Sequence, residues 1–249
     1  MLDFDHGYDE WKNRGRLLRD RTYVLFFKLP IDSAPEYKDG FLQSLRKWFF
    51  SAKWHEVYDL VEFFANVEHL NTGWRYGAEE RSENYRKSIN NFLEKERSGF
   101  RFVGTNLAPI TNEEEVSEVD EAANISGEFA AASNHIRTAI KHYANRKSPD
   151  FRNSIKEAIS AVEACAKIIS GKPKATLGDA IKVIDTTHGM HPSLKEGLLR
   201  IYGYTSSEGG IRHAMIDAEN VDEIDAKFML ISCSAFCNYL ISRYKPSKK

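Results

Sequence analysis

The stretch SPDFRNSIKEAISAVEACAKIISGK, residues 148–172, decides the fold class that we predict for this chain. Ser, Pro and Asp at its start are helix-initiating residues, and Gly171 near its end is a typical helix C-cap. Apolar residues three and four positions apart form one stripe along this helix: Ile155, Ile159, Val162, Cys165, Ala166 and Ile169. A second stripe beside it is charged: Arg152, Lys156, Glu163 and Lys167. The pattern therefore predicts a helix that buries one face.

Helical periodicity extends over most of the remaining sequence. EYKDGFLQSLRKWFFSA and KWHEVYDLVEFFANVEHL both place apolar residues three and four apart, and a more polar helix is predicted at about 79–96. Further helices are predicted at about 127–145, in ATLGDAIKVID, in HPSLKEGLLRIYGY and at about 222–244, the last of them apolar nearly all round. A helix of that kind must be covered on most sides, by its own domain, by a partner subunit or by both. We therefore predict an all-α fold.

The helical pattern breaks once, at FRFVGTNLAPI, residues 100–110. Two short apolar runs flank Gly104, Thr105 and Asn106, which predicts a β-hairpin. Thr111, followed by three glutamates, is a predicted N-cap with acidic residues in the first helical turn. We place the domain boundary at this hairpin, so that residues 1–99 form an N-terminal helical region and residues 100–249 form the hairpin and a helical bundle.

Composition excludes several classes of function. The formal net charge is −1, so a nucleic-acid role would require a local basic patch. Cys165, Cys233 and Cys237 fall in apolar helical patterns and are predicted to be buried free thiols. Because Cys233 and Cys237 have no further ligands at suitable spacing, we predict no metal site, and no cofactor motif occurs.

The sequence also predicts a cytoplasmic protein that does not enter a membrane. Its N-terminus is acidic where a signal peptide is basic, and no apolar run follows it. The longest apolar run, residues 228–241, is interrupted by polar residues and is shorter than a typical transmembrane helix.

Arg212 and His213, in YGYTSSEGGIRHAM, are the candidate catalytic residues. Metal-independent RNA cleavage needs a base that activates the ribose 2′-hydroxyl and a cation that stabilises the developing charge on phosphorus. Histidine, with a pKa of about 6.5, suits the first role, and the planar guanidinium of arginine suits the second. The structural alternative is that Arg212 binds loop carbonyls or Glu208 while His213 is packed, because adjacent helical residues point in different directions.

Five further residues are candidate RNA-binding residues. Arg152 and Asn153 would face the same cleft, Tyr202 and Tyr204 would stack on bases, and Thr205 adjoins them. Each has a structural alternative. The charged stripe containing Arg152 is also typical of a solvated helix face, and tyrosines often close the junction between a helix and a loop.

The stretches DFRNSIKEAISAVEACAKIISGK, YGYTSSEGGIRHAM and AKFMLISCSAFCNYLI together are similar to the AbiJ-type HEPN domains of bacteria. The hairpin and WHEVYDLVEF resemble the upstream portion of that family, so the resemblance covers roughly residues 35–244 and is most specific after Asp150. The resemblance implies an all-α HEPN bundle that forms a homodimer through its C-terminal helices. It also implies a role in abortive-infection or toxin–antitoxin defence and metal-independent endoribonuclease activity.

The chain departs from the signature of that family, in which an arginine and a histidine are separated by several residues. Here His213 follows Arg212 directly, and residues 217–219 are Asp, Ala and Glu. Whether the chain is an enzyme therefore stays open. The favoured function is an RNA-cleaving defence effector. The alternatives are a catalytically inactive HEPN module that binds RNA, a nucleotide or a partner protein of the defence system, and a dimerisation scaffold.

Overall fold

A computed structural model of the chain describes residues 15–67, 78–206 and 221–244. Helices dominate these ranges and are accompanied by one two-stranded hairpin, which confirms the predicted all-α class with a short β-hairpin. The chain forms two compact units, Met1–Ile89 (unit 1) and Asn90–Lys249 (unit 2). The division lies within a helix, whereas the sequence predicts a boundary after residue 99.

The described part of unit 1 contains short and medium helices. Its elements are α1 (Arg16–Arg21), a π-helical segment (Thr22–Phe27), a 3-10 turn (Ile31–Ser33), α2 (Lys38–Ser51), α3 (Trp54–Asn66) and most of α4 (Ala78–Lys95). The helices α2, α3 and α4 match the three predicted from periodicity in this region. Glu56 caps α3 because its carboxylate accepts the backbone N–H of Lys53 at 2.8 Å.

Aromatic rings form the centre of unit 1. The ring centroid of Trp48 lies 5.5 Å from those of Phe26 and Phe27, and Phe26 also lies 5.5 Å from Phe63. Edge-on contacts of this kind add to the free energy gained from burying the rings. The π-helical segment and α2 are therefore held together mainly by aromatic packing.

Unit 2 begins with the hairpin. Strand β1 (Arg101–Val103) pairs with antiparallel β2 (Asn106–Ala108), with Phe102 opposite Leu107. Gly104 in the turn has a φ of 58°, a left-handed conformation that favours glycine, and its N–H donates to the Asp120 carboxylate. The predicted hairpin is thus confirmed and is tied to the helix that follows it.

The remaining elements of unit 2 are helical. They are α5 (Glu113–Ala123), a 3-10 turn (Gly127–Phe129), α6 (Ala130–Tyr143), α7 (Phe151–Ser170), α8 (Leu177–His188), α9 (Pro192–Ser206) and α10 (Glu223–Arg243). The prediction that Thr111 caps α5 is wrong. An N-cap side chain accepts a hydrogen bond from the backbone N–H three positions later. Asn112 does so, since its side chain accepts the Glu115 N–H at 2.9 Å, and it is therefore the cap of α5.

Helix α7 lies at the centre of unit 2 and packs against α6, α8 and α10. Every residue of its predicted apolar stripe is buried, which confirms the orientation inferred from the sequence. Asp150 caps its first turn and Gly171 ends it with a φ of 67°. The three cysteines are free and buried between α7 and α10, as predicted.

Helix α10 is buried on one side only. Residues such as Leu230 and Cys237 belong to the core of unit 2, whereas Ile224 is 77% exposed and Phe228 is 56% exposed. Within the described ranges, α10 is the one helix that is long and apolar enough to cross a membrane, judged by length and composition alone. Its packing against α5, α7 and α8 is that of a core helix in a bundle.

Candidate functional site

The charged stripe of α7 lies beside the buried stripe, at the surface of unit 2. Lys156 and Lys167 are exposed, whereas Arg152 and Glu163 are partly buried. Arg152 and Glu163 are eleven residues apart, so they share one face of the helix and lie about 16 Å apart along its axis. The predicted stripe is therefore a long polar edge of α7, and different residues contact it near Arg152 and at Glu163.

Tyr202 contacts this polar edge at Glu163. Its hydroxyl donates to Glu163 Oε1 at 3.0 Å, and its ring packs against the core of unit 2. The bond connects the last turns of α9 to the middle of α7. This contact corresponds to the structural alternative for Tyr202, in which the tyrosine closes a helix end and its hydroxyl has a partner.

Arg152 and Asn153 lie in the first turn of α7. The Asn153 backbone N–H donates to Asp150 Oδ1 at 3.0 Å, and its side-chain Nδ2 donates to Asp150 Oδ2 at 2.7 Å. The side-chain bond, followed by the backbone bond, lowers the pKa of the Asp150 carboxyl. Asn153 therefore completes an N-cap. It lies about 15 Å along the axis from Glu163, so the structure does not bring it together with Tyr202.

Two histidine–carboxylate pairs join α6 to α7. His135 Nδ1 lies 2.7 Å from Glu157 Oε2, and His142 Nδ1 lies 4.0 Å from Asp150 Oδ2. These pairs were not predicted from the sequence. The two histidines are seven residues apart and so are the two carboxylates, a spacing that lets two antiparallel helices pair at both positions. In the part of the chain that the structure describes, no group of three or more metal-ligating side chains occurs.

Polar contacts also fix the first turns of α10. Lys227 Nζ lies 2.6 Å from Glu115 Oε2 on α5, and Asp222 caps the helix by accepting the N–H groups of Ile224 and Asp225. Burial raises the pKa of the neighbouring Tyr143 hydroxyl well above its ordinary value, and the charge of Glu223 adds to this effect. The start of α10 is thus held against α5 and α6.

The remaining candidate residues fall between Tyr202 and Asp222 in the sequence. Tyr204 and Thr205 belong to the last turn of α9, and nothing is described of their side chains. Arg212 and His213 lie outside the described residues, in the connection from α9, which ends at Ser206, to α10. The functional roles of all seven candidate residues remain predictions.

Comparison with known proteins gave one family match. Residues 3–124 match the family model described as AbiJ N-terminal domain 4, and the match ends at Asn124, the C-cap of α5. No curated protein and no solved structure matched the chain. The match covers the N-terminal segment, whereas the predicted resemblance to HEPN domains is most specific after Asp150. Residues 3–124, about half of the chain, are therefore similar to AbiJ N-terminal domain 4.

Proposed function

We propose that this chain is an effector of bacterial abortive-infection defence that cleaves RNA without a metal ion. The observation that carries the proposal is the match of residues 3–124 to AbiJ N-terminal domain 4, because an AbiJ-related domain associates the chain with abortive infection. The all-α architecture of unit 2 is compatible with the HEPN-type bundle that the sequence suggests.

In the proposed reaction, His213 takes the proton of a ribose 2′-hydroxyl, whose oxygen attacks the adjacent phosphorus. The bond to the 5′-oxygen breaks, that oxygen takes a proton from water and leaves as a hydroxyl, and a 2′,3′-cyclic phosphate remains. Arg212 binds the non-bridging oxygens and stabilises the negative charge that develops on them. General base catalysis of this kind contributes about 10²- to 10⁴-fold in rate.

Polar contacts hold the two helices that flank the proposed site in the sequence. Tyr202 is bonded to α7 one turn before the end of α9, and Lys227 is bonded to α5 in the first two turns of α10. The connection that carries Arg212 and His213 therefore begins and ends at positions held against the core of unit 2.

A homodimer through the C-terminal helices is part of this proposal. Ile224 and Phe228 are exposed one turn apart on α10 and form an apolar face close in sequence to His213. A second copy packed on this face would bring two Arg212–His213 pairs near one cleft. Phe228→Glu should convert the dimer to a monomer in sedimentation equilibrium. Phe92→Glu, a matched control at a residue that is 67% exposed on α4, should leave the dimer intact.

A catalytically inactive module that binds RNA, a nucleotide or a partner protein of the defence system is the second candidate function. It is favoured by the direct adjacency of Arg212 and His213, and by the structural contacts that occupy Asn153 and Tyr202. Such a module would retain binding without turnover.

Incubation of the purified full-length chain with total RNA in EDTA tests the two functions. We expect cleavage that falls at least about 100-fold in His213→Ala and in Arg212→Ala. Matched controls are His191→Ala and Arg200→Ala, since both residues are exposed and Arg200 forms only a surface pair with Glu196. Absence of cleavage, or cleavage unaffected by His213→Ala, would refute the enzymatic proposal. RNA binding without cleavage, weakening steeply with salt, would support the inactive module.

A further inference from the structure

Unit 1 exposes three large aromatic rings at the turn between α2 and α3. Phe49 is 49% exposed, Phe50 is 74% exposed and Trp54 is 59% exposed. Phe49 and Phe50 are near the end of α2, and Trp54 is the first residue of α3. We call Phe49, Phe50 and Trp54 the aromatic turn surface.

The aromatic turn surface is separate from the core of unit 1. The neighbouring Trp48 provides the core contact, since its ring packs against Phe26 and Phe27. Phe49 and Phe50 instead contact each other, with ring centroids 5.5 Å apart and planes at 89°. Clustered exposed rings mark interaction sites, whereas apolar side chains exposed singly do not.

Positive charge surrounds these rings. The guanidinium carbon of Arg46 lies 5.7 Å from the centroid of the Phe50 ring. Lys47, near the end of α2, and Lys53, the N-cap of α3, are both exposed. The segment RKWFFSAKWH, residues 46–55, contains three cations and no carboxylate, although the whole chain has a formal net charge of −1. The nearest following carboxylate, Glu56, accepts the Lys53 N–H as part of the α3 cap. This turn is therefore a local basic patch that the net charge of the chain conceals.

We propose that the aromatic turn surface binds single-stranded nucleic acid. Unpaired bases would stack on Phe50 and Trp54, while phosphates would pair with Arg46, Lys47 and Lys53. Aromatic rings interleaved with cations bind single strands in a sequence-tolerant way, because every unpaired base offers a π-face and every nucleotide carries a phosphate.

The dimensions and the composition of the surface favour this occupant. Phe50 and Trp54 are four positions apart in the sequence, so their Cα atoms are at most about 14 Å apart, a span that suits a few nucleotides. Lysine is depleted in protein–protein interfaces, so the two lysines beside the aromatic turn surface, Lys47 and Lys53, disfavour a protein partner. The site stands independently of the proposed cleavage, since every residue that forms it lies in unit 1.

Fluorescence anisotropy with two labelled oligonucleotides tests the proposal. One probe is 2′-O-methyl oligouridine, and the other is an oligothymidine DNA of the same length. Neither probe has a free 2′-hydroxyl, so the proposed cleavage cannot alter the result. We expect Phe50→Ala and Trp54→Ala in the full-length chain to weaken binding roughly 5- to 150-fold each. Phe92→Ala, the matched control for an exposed phenylalanine, should leave the affinity unchanged. Equal affinity for both probes would show recognition through rings and phosphates, and tighter RNA binding would assign the surface to RNA.

Salt dependence provides a second readout. Lys47→Glu combined with Lys53→Glu should lower the slope of log affinity against log salt by at least about 1.4, which corresponds to two phosphate contacts on a single strand. Unchanged circular dichroism would show that these variants remain folded. Absence of oligonucleotide binding, or binding insensitive to Phe50→Ala and Trp54→Ala, would overturn the proposal. Binding to phosphatidylserine vesicles but not to either probe, lost in the same variants, would overturn it in favour of a membrane surface.

Discussion

Asn238 offers a sharp test of how α10 is attached to α5. This buried residue of α10 donates through Nδ2 to the Glu118 carbonyl at 3.0 Å and to Glu118 Oε1 at 2.9 Å. Asn238→Asp keeps the size of the side chain but replaces both donors by acceptors and adds a charge. Asn238→Leu also removes both donors, without adding a charge. The pair of variants therefore separates the electrostatic effect from the loss of hydrogen bonds.

The expected magnitudes follow from these contacts. The two lost hydrogen bonds contribute about 1 kcal/mol for the neutral carbonyl and about 2 kcal/mol for the carboxylate. Two carboxylates about 3 Å apart would repel by about 5 kcal/mol at an effective dielectric constant of 20, and rotation or protonation relieves much of this. We expect Asn238→Asp to destabilise unit 2 by about 4 kcal/mol near neutral pH. Asn238→Leu should cost about 1–2 kcal/mol, because it also removes the unpaired, buried Oδ1 of Asn238.

Urea unfolding followed by far-UV circular dichroism measures these differences. All four tryptophans precede residue 90, so tryptophan fluorescence reports on unit 1 and serves as an internal control. The penalty of Asn238→Asp should shrink as the pH falls, because burial beside Glu118 raises the pKa of the introduced carboxyl in the folded state. An Asn238→Asp variant no less stable than Asn238→Leu would refute the reasoning.

Three further outcomes are expected. Burial raises the pKa of the Cys233 thiol to about 12, and the other two cysteines are also buried. Iodoacetamide at about pH 8 should therefore label no cysteine in the folded chain and all three cysteines in urea, as counted by mass spectrometry. Asp150→Ala should cost about 1 kcal/mol in urea unfolding. That difference should disappear as the pH falls below the ordinary aspartate value of 3.8 and through the folded-state pKa, which the bond from Asn153 lowers. Tyr202→Phe should lower the free energy of unfolding by about 1 kcal/mol, because the bond to Glu163 is lost.

The parts of the fold that depend on local pattern were predictable from the sequence. The apolar stripe of α7 is buried as its spacing indicates, and the Gly104 turn closes the predicted hairpin. Periodicity shows which residues share a face, but it does not show what covers that face. For this reason the sequence predicted that most sides of α10 are covered, by the chain itself or by a partner subunit, but not that Ile224 and Phe228 in particular are exposed in a single chain.

The candidate site was less predictable, because it depends on contacts between distant residues. The bond from Tyr202 to Glu163 and the pair of His135 with Glu157 require the register of packed helices, which spacing alone does not give. Arg212 and His213 were identified from their chemistry and from a family resemblance. These indicate a chemical role but not the positions of the two side chains. The aromatic turn surface was missed because periodicity treats Phe49 as a core position of α2, although its ring is half exposed.

The matched family segment and the compact units do not coincide, and this limits how such chains can recombine. Residues 90–124 belong to the segment that matches AbiJ N-terminal domain 4, yet they lie in unit 2, where Glu115 and Glu118 of α5 bind Lys227 and Asn238 of α10. A hybrid gene joined after codon 124 would give α10 a foreign α5. Only donors that supply matching carboxylates at these two positions would yield a well-packed hybrid, so exchange among such proteins should select for paired changes across the junction.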